Sequence, residues 1–395
     1  MIKFAFKNMA IKKVQCILIV ISIVISASIA VLAYNVSSQV SDGITSNAGY
    51  YSVIIGPSGS KTQLAMNTMY FSDEPLGTIP YSVAMNLMQD GTRVNKVIPF
   101  AMADNYNGSK VVGTTSLFLK NKSLQSGEMM DDSATMQAVV GYNVAKNNGL
   151  SVGDVIYTSH SASSYETHTK GITITGILNQ SYSSFDNVVF TQVRTLWEMH
   201  EHEGEEEHSH EATVCAVIVN TKNPAYAMQI VNEYNGKTFT DAHGDAYSTQ
   251  AIEPMDAIRE VLNETDDTKY IVFVLCGIIL IMNIIVISII TLLNMYHSSK
   301  EIALMRLIGI SMKRINLLYL IQNGIIGILS ILLAFGASRL CMGMMNDYVS
   351  SMGVVLNMGK VYGAEIGILL AVFLISVIPT LIWTFVMSKR DAMEG

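Results

Sequence analysis

Ser298-Ser299-Lys300-Glu301-Ile302-Ala303-Leu304-Met305-Arg306-Leu307-Ile308-Gly309-Ile310 is a charged, helix-prone segment wedged between two long apolar runs, Tyr270 to Leu293 and Leu317 to Leu340. Two more runs have comparable length, Val14 to Tyr34 and Ala364 to Met387, and none of the four contains Lys or Asp. A bilayer core of about 30 Å is crossed by about 20 mainly apolar residues in a helix. Half of the chain is hydrophobic, and its apolar residues gather in these blocks instead of spreading evenly, the pattern of a membrane protein.

Basic residues set the expected orientation. Lys3, Lys7, Lys12 and Lys13 precede the first run, Lys300, Arg306, Lys313 and Arg314 follow the second, and Lys389 and Arg390 follow the fourth. The positive-inside rule then places both termini in the cytoplasm and the chain in the cell (inner) membrane. The expected order is a cytoplasmic amphipathic helix at 1–13, a first membrane helix at 14–34, and an extracytoplasmic domain at 35–269. A second membrane helix at 270–293, a cytoplasmic segment at 294–316, a third helix at 317–340, an outer loop at 341–363, a fourth helix at 364–387 and a cytoplasmic tail at 388–395 complete it. The rival for the first run is a cleaved signal peptide, but its apolar stretch exceeds the usual signal core of about 7 to 15 residues. Only Ser388 to Gly395 follow the last run, too few residues for a kinase or methyl-accepting module.

Charge divides unevenly between these parts. Residues 35–269 hold 13 basic against 27 acidic residues, a formal balance of −14, whereas the rest holds 12 against 5, or +7. An acidic outer domain argues against nucleic acid and anionic lipid as partners, and solubility accounts for it equally well. Cys16, Cys276 and Cys341 fall in or beside apolar runs and Cys215 alone falls in the domain, so no disulfide forms within it.

Within the domain, strand-like segments occur at Val53 to Ile55, Gly153 to Thr158, Gly171 to Leu178, Val188 to Thr191 and Thr213 to Val219. Helical stretches are expected at Thr62 to Met69, Ser82 to Met88, Met136 to Asn147, Thr191 to His200 and Pro224 to Tyr234. The expected fold is therefore four transmembrane α-helices plus an α+β extracytoplasmic domain on a mixed sheet, inserted between helices 1 and 2. The polar stretches Val36 to Asn47 and Ile252 to Lys269 are expected as stalk helices. In the third run Gly324, Gly327, Ser330, Ala334 and Ala337 fall about a turn apart and suit close helix packing. Asn283 suits an interhelical hydrogen bond and Pro379 a kink, while Glu365, at the outer end of the fourth run, needs no special role. With no ionisable residue in the middle of a run, the helices favour dimer packing over a pore.

Several segments carry a family resemblance. Glu301-Ile302-Ala303-Leu304-Met305-Arg306-Leu307-Ile308-Gly309 resembles the cytoplasmic motif after the second helix of ABC transporter permeases of the MacB and FtsX type, and continues through Arg314. Gly141-Tyr142-Asn143-Val144-Ala145 followed by Leu150-Ser151-Val152-Gly153-Asp154 resembles the helix, turn and strand of their outer domain. Gly59-Ser60-Lys61-Thr62-Gln63-Leu64 is similar to another segment after their first strand. The resemblance implies a non-catalytic transmembrane subunit, with ATP and Mg on a separate ABC ATPase. It also implies a dimer with a second copy or a similar permease chain, and an outer adaptor or substrate-binding protein as a further partner. Closure of the ATPases would push the cytoplasmic helices and rock the stalks, for efflux or extraction of a substrate. The contacts would be Glu301, Arg306, Lys313 and Arg314 around the apolar anchors Ile302 and Met305, with Gly309 in the motif. The alternative is an FtsX-like regulator of an extracytoplasmic hydrolase, although the outer domain of those relatives is much smaller.

Two segments bear on ligands. Gly56-Pro57-Ser58-Gly59-Ser60-Lys61-Thr62 looks like a phosphate-binding loop but is one residue too short, and it falls outside the cytoplasm. Glu198-Met199-His200-Glu201-His202-Glu203-Gly204-Glu205-Glu206-Glu207-His208-Ser209-His210-Glu211 is dense in histidine and carboxylate. His200, His202, His208 and His210 form its candidate metal site, zinc being the first choice, in a zinc-handling permease or a regulated one. The competing reading is a solvated acidic loop. The His-Glu-x-x-His spacing of a metalloprotease is missing. His160, His168 and His243 read as scattered surface residues.

Overall fold

A computed structural model describes residues 2–48, 51–72, 74–160, 167–200, 212–240, 246–297, 299–350 and 354–393. The chain begins with α1 (Ile2–Ile11) and the long helix α2 (Lys13–Ala48). There follow β1 (Val53–Pro57), α3 (Lys61–Tyr70), β2 (Ile79–Pro80), α4 (Ser82–Gln89), β3 (Val94–Tyr106), β4 (Ser109–Thr114), β5 (Leu124–Gly127) and β6 (Gln137–Val140). Next come α5 (Tyr142–Asn148), β7 (Val155–Ile156), β8 (Ile172–Leu178), β9 (Val188–Gln192), α6 (Val193–His200), β10 (Thr213–Val214), β11 (Ala216–Thr221), α7 (Pro224–Tyr234), β12 (Thr238–Thr240) and β13 (Ala246–Ile252). The helices α8 (Pro254–His297), α9 (Ser299–Leu307), α10 (Met312–Ser350) and α11 (Gly363–Met393) complete the chain.

These elements divide into two compact units, one helical (1–39, 266–345 and 357–395) and one of mixed structure (40–265 with 346–356). Among the described residues the mixed unit is built on an 11-stranded sheet of order β12-β13-β1-β11-β3-β4-β9-β6-β8-β5, with β7 paired to β8, and on a second sheet of β10 and β2. Most pairs are antiparallel, as in Ile98 of β3 against Ile218 of β11. Two are parallel, β4 with β9 and β6 with β8. Central strands such as β1 and β9 are buried along their whole length, so they read as continuous apolar runs rather than alternating ones. Helices α3, α4, α6 and α7 pack on this sheet over a core that includes Ile55, Val83, Leu87, Val111, Val189, Leu196, Val217 and Ile230. A second packing centre gathers Phe71, Phe100, Phe118, Phe185 and Phe190, with Phe71 5.1 Å from Phe185 between ring centroids.

The sequence expectation differs from the structure in three places. The stretch from Gln137 to Val140 is strand β6 rather than helix, and the helix starts only at Tyr142, because Gly141 lies against backbone: a Cβ there would sit 2.3 Å from the Phe185 carbonyl oxygen. The β3–β4 hairpin was not foreseen, although Asn107 and Gly108 form its tip at φ 47° and 86°, the left-handed pair that a two-residue hairpin turn requires. Part of the expected outer loop, residues 354–356, also joins the mixed unit. Val354, Val355 and Leu356 are buried within the mixed unit, and Val354 bridges Ser183.

In the helical unit, Ile19, Ile23, Ala27 and Val31 of α2 pack with Ile287 of α8, Ile326 and Ala334 of α10, and Leu369 and Val372 of α11. Among the described residues three helices are long and apolar enough to cross a membrane, over Lys13–Ile44, Phe273–Ile290 and Met312–Asn346, with a shorter apolar stretch at Gly363–Pro379. Of the small residues on α10, Gly327, Ser330 and Ala334 are buried and Gly324 and Ala337 half-buried. Gly327 makes the tightest approach, since a Cβ there would stand 2.9 Å from Phe373 of α11. The Asn283 side chain lies outside the described residues.

Candidate functional sites

The end of β3 carries Asp104, placed by a β-bulge. Register against β4 shifts between Met102 and Asp104, leaving Ala103 exposed and turning Asp104 inward, where its side chain is 0% exposed. The chain after β7 returns beside it. Asn105 exchanges backbone hydrogen bonds with Ser159 at 2.7 and 2.9 Å, and the His168 amide donates to the Thr158 carbonyl at 2.8 Å. These bonds place His160 and His168 next to Asp104. The fourth group, His200, is the last residue of α6, whose apolar face of Val193, Leu196 and Met199 is buried. Lys170 Nζ donates to the Glu198 carbonyl at 3.0 Å and holds the end of that helix to the segment after His168.

Four side chains therefore converge. His200 Nε2 lies 3.1 Å from Asp104 Oδ1, His168 Nε2 3.2 Å from Oδ2, and His160 Nδ1 3.8 Å from Oδ1. The imidazole centroids stand 4.7 to 5.0 Å apart. Thr158 Oγ1 donates to Asp104 Oδ2 at 2.9 Å. Burial raises the Asp104 carboxyl, but the hydrogen bond from His200, the charges of His200 and His168, and the Thr158 hydroxyl outweigh it and hold the group below the usual carboxylate range.

Of the histidines expected at a metal site, the structure brings His200 into this cluster, while His202, His208 and His210 lie outside the described residues, as does His243. The surface reading of His168 is corrected, since its side chain is only 3% exposed, whereas His160 is a surface residue as expected, 50% exposed, but stands at the rim of the cluster and is not scattered. Asp104 carries no signal of its own in the sequence, because the apolar run of β3 shows no alternation that would set its face. The Asn107-Gly108 hairpin signal three residues beyond it marks where the strand ends.

The second site is α9. Gly309, at φ 90°, closes it: the Gly309 amide bonds the Arg306 carbonyl at 2.9 Å and the Ile310 amide bonds the Met305 carbonyl at 3.0 Å, a Schellman cap. Ile302 is buried with Met312, Ile315 and Tyr319 of α10, and Met305 packs partly against them. Both expected anchors thus hold α9 on its own neighbour. The apolar residues left outward are Leu304, Leu307 and Ile308, at 58, 84 and 79% exposure, beside exposed Arg306, Lys313 and Arg314. The Glu301 side chain lies outside the described residues.

The helical unit also holds a polar cluster, which corrects the expectation that Glu365 has no special role. Its carboxylate is fully buried and accepts from Arg339 of α10, from Asn35 of α2 and from the Tyr362 amide at 3.0 Å. Gln39 of α2 donates to the Asn357 carbonyl at 3.0 Å and accepts from the Asn357 amide at 2.7 Å. The look-alike phosphate loop is accounted for by packing. Ser60 caps α3, its Oγ accepting from the Gln63 amide, and a Cβ on Gly56 would meet Leu64 Cδ1 at 2.5 Å, so the glycine lets α3 lie close on β1.

Apolar helices on either side of a large α+β domain define a multi-pass membrane protein with an extramembrane domain after its first long helix. The MacB-like periplasmic core domain family matches residues 16–235, and the FtsX-like permease C-terminal family matches residues 271–386. The chain belongs to the MacB/FtsX-type ABC transporter permeases. Permeases of this type work with ABC ATPases and are generally non-catalytic themselves. Among solved structures, the periplasmic region of MacB from Actinobacillus actinomycetemcomitans matches with a TM-score of 0.37 and 10% identity, over 54% of this chain and 94% of that one. No curated protein matches.

Proposed function

We propose that this chain is the transmembrane subunit of a MacB-like machine that couples ATP hydrolysis on a separate ATPase to movement of the α+β domain, for efflux or extraction of a substrate. In this reading it has four membrane helices and sits in the inner membrane with both termini in the cytoplasm, paired with a second copy or a similar chain. The observation that carries it is the construction of α9. A helix pinned through Ile302 to Met312, Ile315 and Tyr319 moves with α10, while its exposed Leu304, Leu307 and Ile308 supply apolar anchors within a basic rim. Such a helix suits a groove on a partner.

The test uses membranes containing this chain and its copurifying ATPase. Leu304→Asp with Leu307→Asp, and separately Glu301→Ala with Arg306→Ala, are expected to lower permease-dependent ATPase activity at least tenfold while the chain still inserts and is extracted intact. Full activity in both double variants would place the contact elsewhere. Recovery of the tagged chain with no ABC ATPase would remove the coupled-transport reading altogether.

A further inference from the structure

We infer that Asp104, His160, His168 and His200 form a zinc site within the α+β domain, one ion per chain, which ties together the end of β3, the described residues around His160 and His168, and the end of α6. This goes beyond the permease reading and does not depend on it.

Geometry supplies the first argument. Zinc bound by imidazole nitrogen and carboxylate oxygen at about 2.0 to 2.2 Å in a tetrahedron requires donor atoms about 3.3 Å apart. Asp104 Oδ1 stands 3.1 Å from His200 Nε2 and 3.8 Å from His160 Nδ1, its Oδ2 stands 3.2 Å from His168 Nε2, and one donor atom from each of the four residues lies within 4.8 Å of the other three. Closing on an ion therefore needs side-chain adjustments and no change in the backbone ladder that aligns residues 104–105 with 158–159.

Charge supplies the second. A fully buried carboxylate is expensive unless a cation pairs with it or it binds a metal. Imidazole nitrogens and a buried carboxylate are both metal ligands, and a divalent ion would place its positive charge directly beside Asp104. The donor set also selects the ion. Three nitrogens and one carboxylate suit zinc and its first-row neighbours, while calcium and magnesium need shells made chiefly of oxygen. Zinc-supporting contacts beyond the ligands are present too: Thr158 Oγ1 orients Asp104 Oδ2. The gradient of exposure gives the ion a route, because Asp104 and His168 form a buried floor at 0 and 3% while His160 and His200 stand at the rim at 50 and 32%.

The experiment uses the full chain in detergent, stripped with chelator and titrated with zinc alone, with cobalt(II) as a spectroscopic probe of tetrahedral geometry. The wild type is expected to take up one equivalent with the intense visible bands of four-coordinate cobalt, and zinc is expected to raise its unfolding temperature. The rim variants His160→Ala and His200→Ala, least prone to disturb folding, are expected to weaken zinc at least tenfold and to abolish the cobalt bands. Thr158→Val, which keeps every ligand, is expected to weaken zinc by about ten- to a hundredfold. Stoichiometric tight binding that survives in His160→Ala and His200→Ala overturns the proposal. So does binding lost only when His202, His208 and His210 are replaced together, or a wild type that takes up no zinc.

Discussion

At the scale of single residues, the pair Arg339 and Glu365 has the largest expected energetic consequence. The Glu365 carboxylate is fully buried and the Arg339 side chain is 12% exposed, so each leaves the other uncompensated if it is removed. Breaking a buried pair by deleting one member costs about 3 to 5 kcal/mol, whereas replacing both with apolar groups of similar size is often close to neutral. Glu365→Ala is therefore expected to lower the stability of the detergent-solubilised chain by about that amount. Arg339→Met combined with Glu365→Leu should recover most of it. Thermal unfolding monitored by circular dichroism decides the matter: if the single variant unfolds at the wild-type temperature, the pair contributes nothing. The sequence concealed this contact because Arg339 falls at the end of an apolar run, where a flanking charge is ordinary, and its partner is 26 residues away. His160 and His168 were opaque for the same reason. Each is a lone histidine in sequence, and only the backbone ladder to Asn105 makes them neighbours of Asp104.

At the scale of elements, the β3–β4 hairpin sets the position of Asp104. Its tip needs φ above zero at both Asn107 and Gly108, and the Gly108 amide is held by Asn105 Oδ1 at 2.7 Å. A β-branched residue at Gly108 meets no steric neighbour but is strained by the backbone itself, at about 1 to 2 kcal/mol. Gly108→Val is thus expected to destabilise the domain by about that amount, and to weaken zinc as well, since Asp104 and its bulge follow the hairpin register. A hydrogen-exchange experiment resolving residues 94–114 would expose the flaw if protection there were unchanged. Elements with local signals were legible: α3 with its Ser60 cap, α7 with Asn223 and Pro224 at its start, and strands β8 and β9. Strand β3 was not, because from Val97 to Met102 it is buried on both faces and so lacks alternation, and Pro99 within the run argues against a strand despite Val97, Ile98 and Phe100. The helix expected across Gln137 to Val140 failed because residues of comparable apolarity pair with β8 and β9 instead, a choice made by the sheet and not by the segment.

At the scale of the whole molecule, the order of apolar runs and the uneven charge were enough to read a membrane chain with a large domain inserted after its first helix. They also lead to a proposed orientation that can be tested directly. Basic residues crowd the ends of the first, second and fourth apolar runs, and residues 35–269 carry a formal −14. By the positive-inside rule α9 is expected in the cytoplasm and the α+β domain on the opposite side. Two exposed positions report the two sides, Met228 on α7 at 63% exposure and Leu307 on α9 at 84%. In a background with Cys16, Cys215, Cys276 and Cys341 replaced, Met228→Cys is expected to react with a membrane-impermeant maleimide in intact cells or spheroplasts. Leu307→Cys should react only once the membrane is opened. The reverse pattern would put α9 outside, where no ATPase could reach it, and would end the coupling proposal whatever the activity assays showed. Labelling of Leu307→Cys in opened membranes that fades when the ATPase is bound would locate the contact on the outward apolar face of α9.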